Sequence, residues 1–340
     1  MIADPPHSAL PSAVPGAEYI EHIVSGLATP MRLVDYMKAR LTLVPVTEVG
    51  DLITSGFVAV TCSGQRRTGR TTDPLASHDR IDINSAALGS LLERGRWNPP
   101  WSPPWAPAIR LVHEDDDILV VDKPGCLHVH PLGDRREHTL VNALVHHAGG
   151  RAEHPWASWR PHVVQRLDFV VSGLLVVAKN AHAKDMLVRA HKRHELQRVY
   201  HAMVAGEVAG EDGVIDAPLG REPGRGYRRA TVPVQDGGQA AVTKWRVLAR
   251  FGDRTRLEVL PQTGRTHQIR AHLAGIGHPI VGDTLYASSF EPSRIGDAPS
   301  LAAAAIALHS THLRLAHPRS AAELEFYSEP PFAREDAPSE

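Results

Sequence analysis

The residues whose types and spacing best suit them to chemistry lie in one stretch, Gln165-Arg166-Leu167-Asp168-Phe169-Val170-Val171-Ser172-Gly173, followed by the apolar run Leu174-Leu175-Val176-Val177-Ala178. An arginine stands two residues before a carboxylate, a Ser-Gly turn follows, and the apolar run reads as a buried strand. A carboxylate held just ahead of such a strand can serve as a nucleophile or a base, provided a cation keeps it ionised. Taken alone, the stretch is equally compatible with Asp168 as a turn or capping carboxylate on a surface loop.

A second stretch about a hundred residues later decides between these readings: Leu260-Pro261-Gln262-Thr263-Gly264-Arg265-Thr266-His267-Gln268-Ile269-Arg270-Ala271-His272-Leu273-Ala274-Gly275, continuing into Gly277-His278-Pro279-Ile280-Val281-Gly282-Asp283. The two strings, in this order, resemble the RluA-type pseudouridine synthases, which isomerise uridine in ribosomal or transfer RNA. The resemblance covers roughly residues 109 to 332 and is stronger for family than for substrate. It implies Asp168 as nucleophile, Arg265 as the cation beside it, and Tyr200 as the tyrosine that stacks on the base. Tyr200 lies in Gln197-Arg198-Val199-Tyr200-His201-Ala202-Met203-Val204, which is similar to a strand motif of the family. Arg166 matches the residue that fills the space left by an extruded nucleotide, and Ile269 and Leu313 stand where pocket walls are expected. Three positions depart from the usual pattern: Gln165 replaces a histidine, Phe169 stands where arginine is common, and Val171 replaces a threonine. The nucleophile is kept while its surroundings are altered.

Around these residues the chain must supply strands and helices. Ile109 to Val112 and Ile118 to Val121 read as paired strands about the acidic turn Glu114-Asp115-Asp116-Asp117, leading into Lys123-Pro124-Gly125-Cys126-Leu127-His128-Val129-His130-Pro131. That segment resembles a family loop bordering the active site. His128 and His130 have the spacing of metal ligands on a strand, but no third ligand accompanies them, so no metal is expected. Asn180 should cap a helix with Ala183, Met186, Leu187 and Ala190 on its apolar face. Its cations Arg189, Lys192 and Arg193, with Arg198 and Arg166, are the candidate RNA contacts. Ala241 to Leu248 and Arg254 to Leu260 alternate as antiparallel strands, and Thr266 should open a helix through Ile269, Leu273 and Ile276. Strands outnumber helices without βαβ alternation, so an α+β fold is expected, with a mainly antiparallel mixed sheet, flanking helices and a central cleft.

Ahead of it, residues 1–28 are rich in Pro and Ala and read as a flexible leader. Residues 29–86 read as a small α/β unit. Leu33, Tyr36, Met37 and Leu41 share one helical face, and a second helix through Val49, Leu52 and Ile53 ends at Gly56. Strands Phe57-Val58-Ala59-Val60 and Arg80-Ile81-Asp82-Ile83 follow. This order resembles the αL-type RNA-binding domain, although only Arg32, Lys38 and Arg40 supply charge, and a packing unit without RNA affinity is an equal alternative. Residues 87–108, with Trp97, Trp101 and Trp105 among prolines, form a linker. Residues 109–332 form the catalytic domain, and residues 333–340 an acidic tail.

Composition sets the outer bounds. The 340 residues carry 37 Lys and Arg against 38 Asp and Glu, so the cations that meet RNA phosphates must be clustered locally. Arg221, Arg225, Arg228 and Arg229 make a second such cluster, and either cluster also reads as a solvated face. Two cysteines without a CxxC pair exclude a disulfide framework and a cysteine-built zinc site. No apolar run approaches the ~20 residues that span a bilayer, and the N-terminus lacks a signal-peptide pattern. The expectation is a cytoplasmic monomer that acts on RNA without a cofactor and without a membrane. The alternative is a catalytically weak RNA-binding protein of the same fold. A metal hydrolase finds no HExxH pair among the 21 histidines.

Overall fold

The computed structural model describes residues 18–42, 44, 46–88, 109–131, 138–149, 157–224, 227–287 and 305–336. Most of the linker at 87–108 and of the leader at 1–28 lies outside these residues, as does the end of the acidic tail. The chain divides into two compact units, Met1–Trp105 with His130–Pro161, and Ala106–Val129 with His162–Glu340.

In the first unit, strands β1 (Tyr19–Ile23), β3 (Val58–Cys62), β4 (Gln65–Thr68) and β6 (Arg80–Asn84) form a sheet in the order β1-β6-β3-β4, while β2 (Met31–Arg32) pairs with β5 (Pro74–Leu75). Helices α1 (Leu33–Arg40) and α2 (Val46–Thr54) are too short to persist alone in water. They are held by burial of Leu33, Tyr36 and Met37 from the first, and Val49, Leu52 and Ile53 from the second, against Val58, Val60, Ile81 and Ile83 of the sheet. Helix α3 (Leu140–His147) opens with a capping box made by Thr139 and Asn142. The stretch after it is tied to α1: Arg160 Nε donates to Lys38 O at 2.7 Å, and its Nη2 donates to Leu41 O and to Val44 O. Lys38 O is one of the carbonyls that the end of a short helix leaves without partners, and Leu41 O and Val44 O lie in the cap and loop that follow it. Burial pushes the Arg160 pKa down to about 10. The segment His130–Pro161 therefore clusters with the first unit although it is flanked in sequence by the second.

The second unit is built on one sheet. Its strands are β7 (Arg110–Glu114), β8 (Ile118–Lys123), β9 (His162–Val163), β10 (Ser172–Ala178), β11 (Gln197–Ala205), β12 (Asp212–Asp216), β15 (Val242–Arg250), β16 (Arg254–Pro261), β17 (Leu308–Ala316) and β18 (Glu323–Tyr327). They run in the order β12-β15-β16-β11-β17-β10-β8-β7, with β18 on β17 and β9 on β10. A separate hairpin joins β13 (Leu219–Arg221) to β14 (Arg229–Thr231). All pairings in the large sheet are antiparallel except that of β10 with β17, through Ser172↔His309 and Gly173↔Ser310. This agrees with the expected α+β fold and mainly antiparallel sheet.

The parallel junction depends on Gly173. Its φ is +112°, and a Cβ there would stand 2.4 Å from Ser310 O, so any other residue would push the two strands apart. Beside it, Ser172 Oγ and His309 Nδ1 lie 2.8 Å apart, and His309 Nε2 is 3.0 Å from Ser328 Oγ. Helix α4 (Ala181–Lys192), capped by Asn180, packs Ala183 and Leu187 onto Ile118, Val120, Leu174 and Val176. Met186, expected on this apolar face, is exposed: the buried stripe follows the i, i+4 pair Ala183 and Leu187, and Met186 falls at its edge beside Arg189 Nη2.

Candidate active site

Asp168 sits in the turn ahead of β10, and the turn is pinned through its backbone. Val171 N–H donates to Asp168 O at 3.1 Å, Leu127 N–H to Phe169 O at 3.1 Å, and Ile306 N–H to Val170 O at 3.3 Å. Lys123, at the end of β8, is fully buried beneath it. Its Nζ donates to Pro124 O at 2.8 Å, to Leu127 O at 3.0 Å and to Phe169 O at 3.4 Å. Burial pushes this ammonium down to about 7, opposed by the charges of Cys126, Asp168 and Asp122, and the three carbonyls also favour its charged form. Lys123 thus ties the segment after β8 to the back of the Asp168 turn. The Phe169 ring lies 4.4 Å from the His128 ring of that segment.

Opposite stands helix α5 (Gln268–Gly275). The helix expected from Thr266 begins two residues later, because His267 takes a left-handed conformation at φ +56° that no α-helix accommodates. Gln268 fixes the entry: its Oε1 accepts from Thr263 Oγ1 at 2.7 Å and from Arg265 N–H at 3.0 Å, while its Nε2 donates to Val242 O and Thr243 Oγ1, each at 2.9 Å. That start turns Arg270 inward. Its Nη1 donates to Asp168 Oδ2 at 3.2 Å, and its Nε and Nη2 grip both oxygens of Asp283 at 2.7 and 2.9 Å. Burial works against the Arg270 charge, but Asp283 and then Asp168 outweigh it and raise the pKa above the ordinary arginine value.

His267 Nε2 stands 3.9 Å from Asp168 Oδ2, and its Nδ1 lies 3.1 Å from the Tyr286 hydroxyl. Burial lowers its pKa against the pull of Asp168, which keeps the ring uncharged at neutral pH. The Tyr286 ring is 5.2 Å from the Arg270 guanidinium, and its hydroxyl accepts Arg229 N–H at 2.9 Å. The arrangement offers a carboxylate on a side chain that is about a quarter exposed, a buried guanidinium donating to it, and an imidazole alongside.

Tyr200 lies on β11, opposite Val259 of β16 and Ser310 of β17, and is almost wholly buried. Burial raises its hydroxyl pKa, the nearby Arg198 cation opposes this, and the Asp168 charge adds to it, so Tyr200 lies within electrostatic reach of both Arg198 and Asp168. Arg265 does not. Its Nε donates to Ala240 O at 3.0 Å, its side chain lines a separate cavity, and the cation at Asp168 is Arg270. Arg166, Arg189, Lys192 and Arg193 are exposed. Ile269 is buried at the start of α5. Leu313 is not at the site: it lies in the core cluster with Ala183 and Leu187, because alternation along β17 turns Leu313 and Leu315 together towards α4.

Arg270, Asp283, His267, Tyr286 and Lys123 are the residues that sequence reasoning passed over. A signal for Arg270 existed. It is an arginine between Ile269 and Ala271 in the first turn of an apolar-faced helix, and a charge buried there demands a carboxylate. Elsewhere, Asp115, Asp117 and His317 come together, but Arg319 holds Asp117 at 2.6 and 2.7 Å, so the cluster already carries its counter-charge. No helix among the described residues is long and apolar enough to cross a membrane.

Residues 117–275 match the family described as RNA pseudouridylate synthase, a span that includes Asp168, Tyr200 and Arg270. The ribosomal large subunit pseudouridine synthase D of Pseudomonas aeruginosa is 39% identical over 230 residues, which cover 65% of this chain and 68% of that protein. Its counterpart in Nitrosomonas europaea is 41% identical over 217 residues, 62% of this chain and 59% of that protein. The chain thus spans about two thirds or less of the length of these relatives. Among solved structures, human RNA pseudouridylate synthase domain containing 1 superposes with a TM-score of 0.54 at 25% identity, covering 69% of this chain and 88% of that one. Human RNA pseudouridylate synthase domain containing 4, at 23% identity and a TM-score of 0.51, shares the fold. A match running through both the Asp168 turn and α5, together with this identity over two thirds of a relative, places the chain in the RluA-type RNA pseudouridylate synthase family.

Proposed function

We propose that this chain isomerises uridine to pseudouridine in ribosomal RNA of the large subunit, with Asp168 as nucleophile. The reaction breaks the bond between the ribose and the base nitrogen, turns the uracil, and joins its carbon 5 to the sugar. The proton on carbon 5 leaves, the freed nitrogen gains one, and no redox change or net hydrolysis occurs. Asp168 supplies an electron pair to the sugar carbon while the base is detached, and is released when carbon 5 bonds. The observation that carries the proposal is the Arg270 bridge between Asp168 and Asp283, which holds a cation on the attacking carboxylate in a largely buried site. Tyr200 forms a wall for the base, Arg166 fills the space the extruded nucleotide leaves, and the exposed cations Arg189, Lys192 and Arg193 meet phosphates. The relatives' names favour ribosomal over transfer RNA. The protein acts without a cofactor, as a cytoplasmic monomer.

The test is release of tritium from carbon 5 of labelled uridine in transcribed large-subunit RNA. Asp168→Asn keeps the size of the side chain but removes the ionised oxygen, so turnover should vanish while folding and RNA affinity persist. Full activity in this variant would place the nucleophile elsewhere. Binding with no tritium release by the unaltered protein would support the alternative, an RNA-binding protein with weak catalysis.

A further inference from the structure

The β13–β14 hairpin carries an arrangement that the chemistry above does not use. Arg221 and Arg229 stand directly opposite each other across it, and like charges so placed destabilise a strand pair. Among the described residues neither has a carboxylate partner, while their neighbour Arg228 takes the hairpin's own acid, Glu222, at 3.1 Å. Arg229 Nε is buried without any hydrogen-bond acceptor. Beside the pair opens a cavity of about 560 Å³ in which Arg265 is the third cation, Asp236 the one lining carboxylate, and Leu219 and Val232 the apolar wall.

Three guanidinium groups against one carboxylate favour an anionic occupant. The volume lies within the roughly 300–1,000 Å³ of small-molecule sites, more than a bare anion needs. The cavity also adjoins the Asp168 site within the same unit. Thr266 lines it and the next residue, His267, faces Asp168, while Arg229 N–H is bonded to the Tyr286 hydroxyl that touches His267. We infer that the cavity receives the nucleotide flanking the target uridine, with Arg221, Arg229 and Arg265 gripping its backbone phosphate. This rests on the isomerase function proposed above. It accounts for a like-charge pair that is unfavourable in the free protein and neutralised in the complex.

The experiment compares the full chain with Arg221→Gln, Arg229→Gln and the double variant, binding a transcribed fragment of large-subunit ribosomal RNA across a salt series. Losing a charge-assisted bond to phosphate should weaken binding about tenfold. The slope of log affinity against log salt should fall by about 0.7–0.9 for one lost phosphate contact. Relief of the repulsion predicts no loss of melting temperature. Arg221 is exposed, so its single variant reads the slope even if the double variant folds poorly. Unchanged affinity and slope in the folded variants would overturn the assignment. Tritium release by the unaltered protein, run alongside, separates the two failures. Release with undiminished binding in the arginine variants sinks the cavity alone. No release with a reduced slope keeps the phosphate grip but removes its place beside a reacting uridine.

Discussion

Replacing Arg270 by Met should separate stability from chemistry at the centre of the site. The guanidinium is buried and makes two bonds to Asp283, itself fully buried, and one to Asp168. Removing it leaves Asp283 with its charge, and with Leu285 N–H at 3.2 Å as its remaining donor. Breaking a buried pair from one side costs about 3–5 kcal/mol, which for a unit of roughly 150–250 residues lowers the melting temperature by about 6–20 °C. The same change removes the donor from Asp168 Oδ2, and loss of one preorganised donor of this kind slows turnover by about 10²–10³-fold. Adding Asp283→Asn removes the stranded charge, so Arg270→Met with Asp283→Asn should recover most of the lost stability, read by thermal melting. Tritium release should stay low, because Asp168 still lacks its cation. If the double variant regains turnover together with stability, Arg270 serves only as the partner of Asp283, and the argument from its contact with Asp168 is wrong.

Gly173→Ala should cost about 3 kcal/mol or more in urea unfolding, since the new Cβ meets Ser310 backbone atoms at 2.4–2.8 Å and the residue holds φ +112°; a near-neutral result would show that β10 and β17 can part without penalty. His309 gives a pH dependence, because burial pushes its pKa down to about 4 from 6.5. Between those values the unfolded chain binds a proton that the folded chain refuses, so stability falls by about 3 kcal/mol as pH drops from about 6.5 to 4. His309→Asn should flatten that fall in unfolding free energy, and an identical pH profile would refute the assignment.

Local periodicity carried much of the fold. The face of Leu33, Tyr36 and Met37 and the continuous apolar run of β10 both follow from which side chains must leave water, and both appear where the pattern put them. The junction that joins the halves of the catalytic sheet was not legible. Ser172 and His309 are 137 residues apart, and nothing in either strand announces that they pair in parallel. Arg265 and Arg270 were both visible in one string, and choosing between them required knowing where the helix begins. A left-handed His267 delays α5 to Gln268, and five residues of chain separate an arginine on a cavity wall from one buried against two carboxylates.

The altered residues of the Asp168 stretch follow from the same geometry. Phe169 packs on His128, and Val171 is buried ahead of the parallel junction, so both act on how the turn is backed. Gln165 is buried with neither amide atom hydrogen-bonded, a penalty of about 1–3 kcal/mol for each group left unpaired. The hydrogen bonds of Arg270 run to Asp168 and Asp283 and to none of these three residues. The departures therefore weigh on the rigidity of the loop that presents the nucleophile, while the charge that serves it comes from α5 on the other side, where the family's string is kept from Gly264 to Arg270.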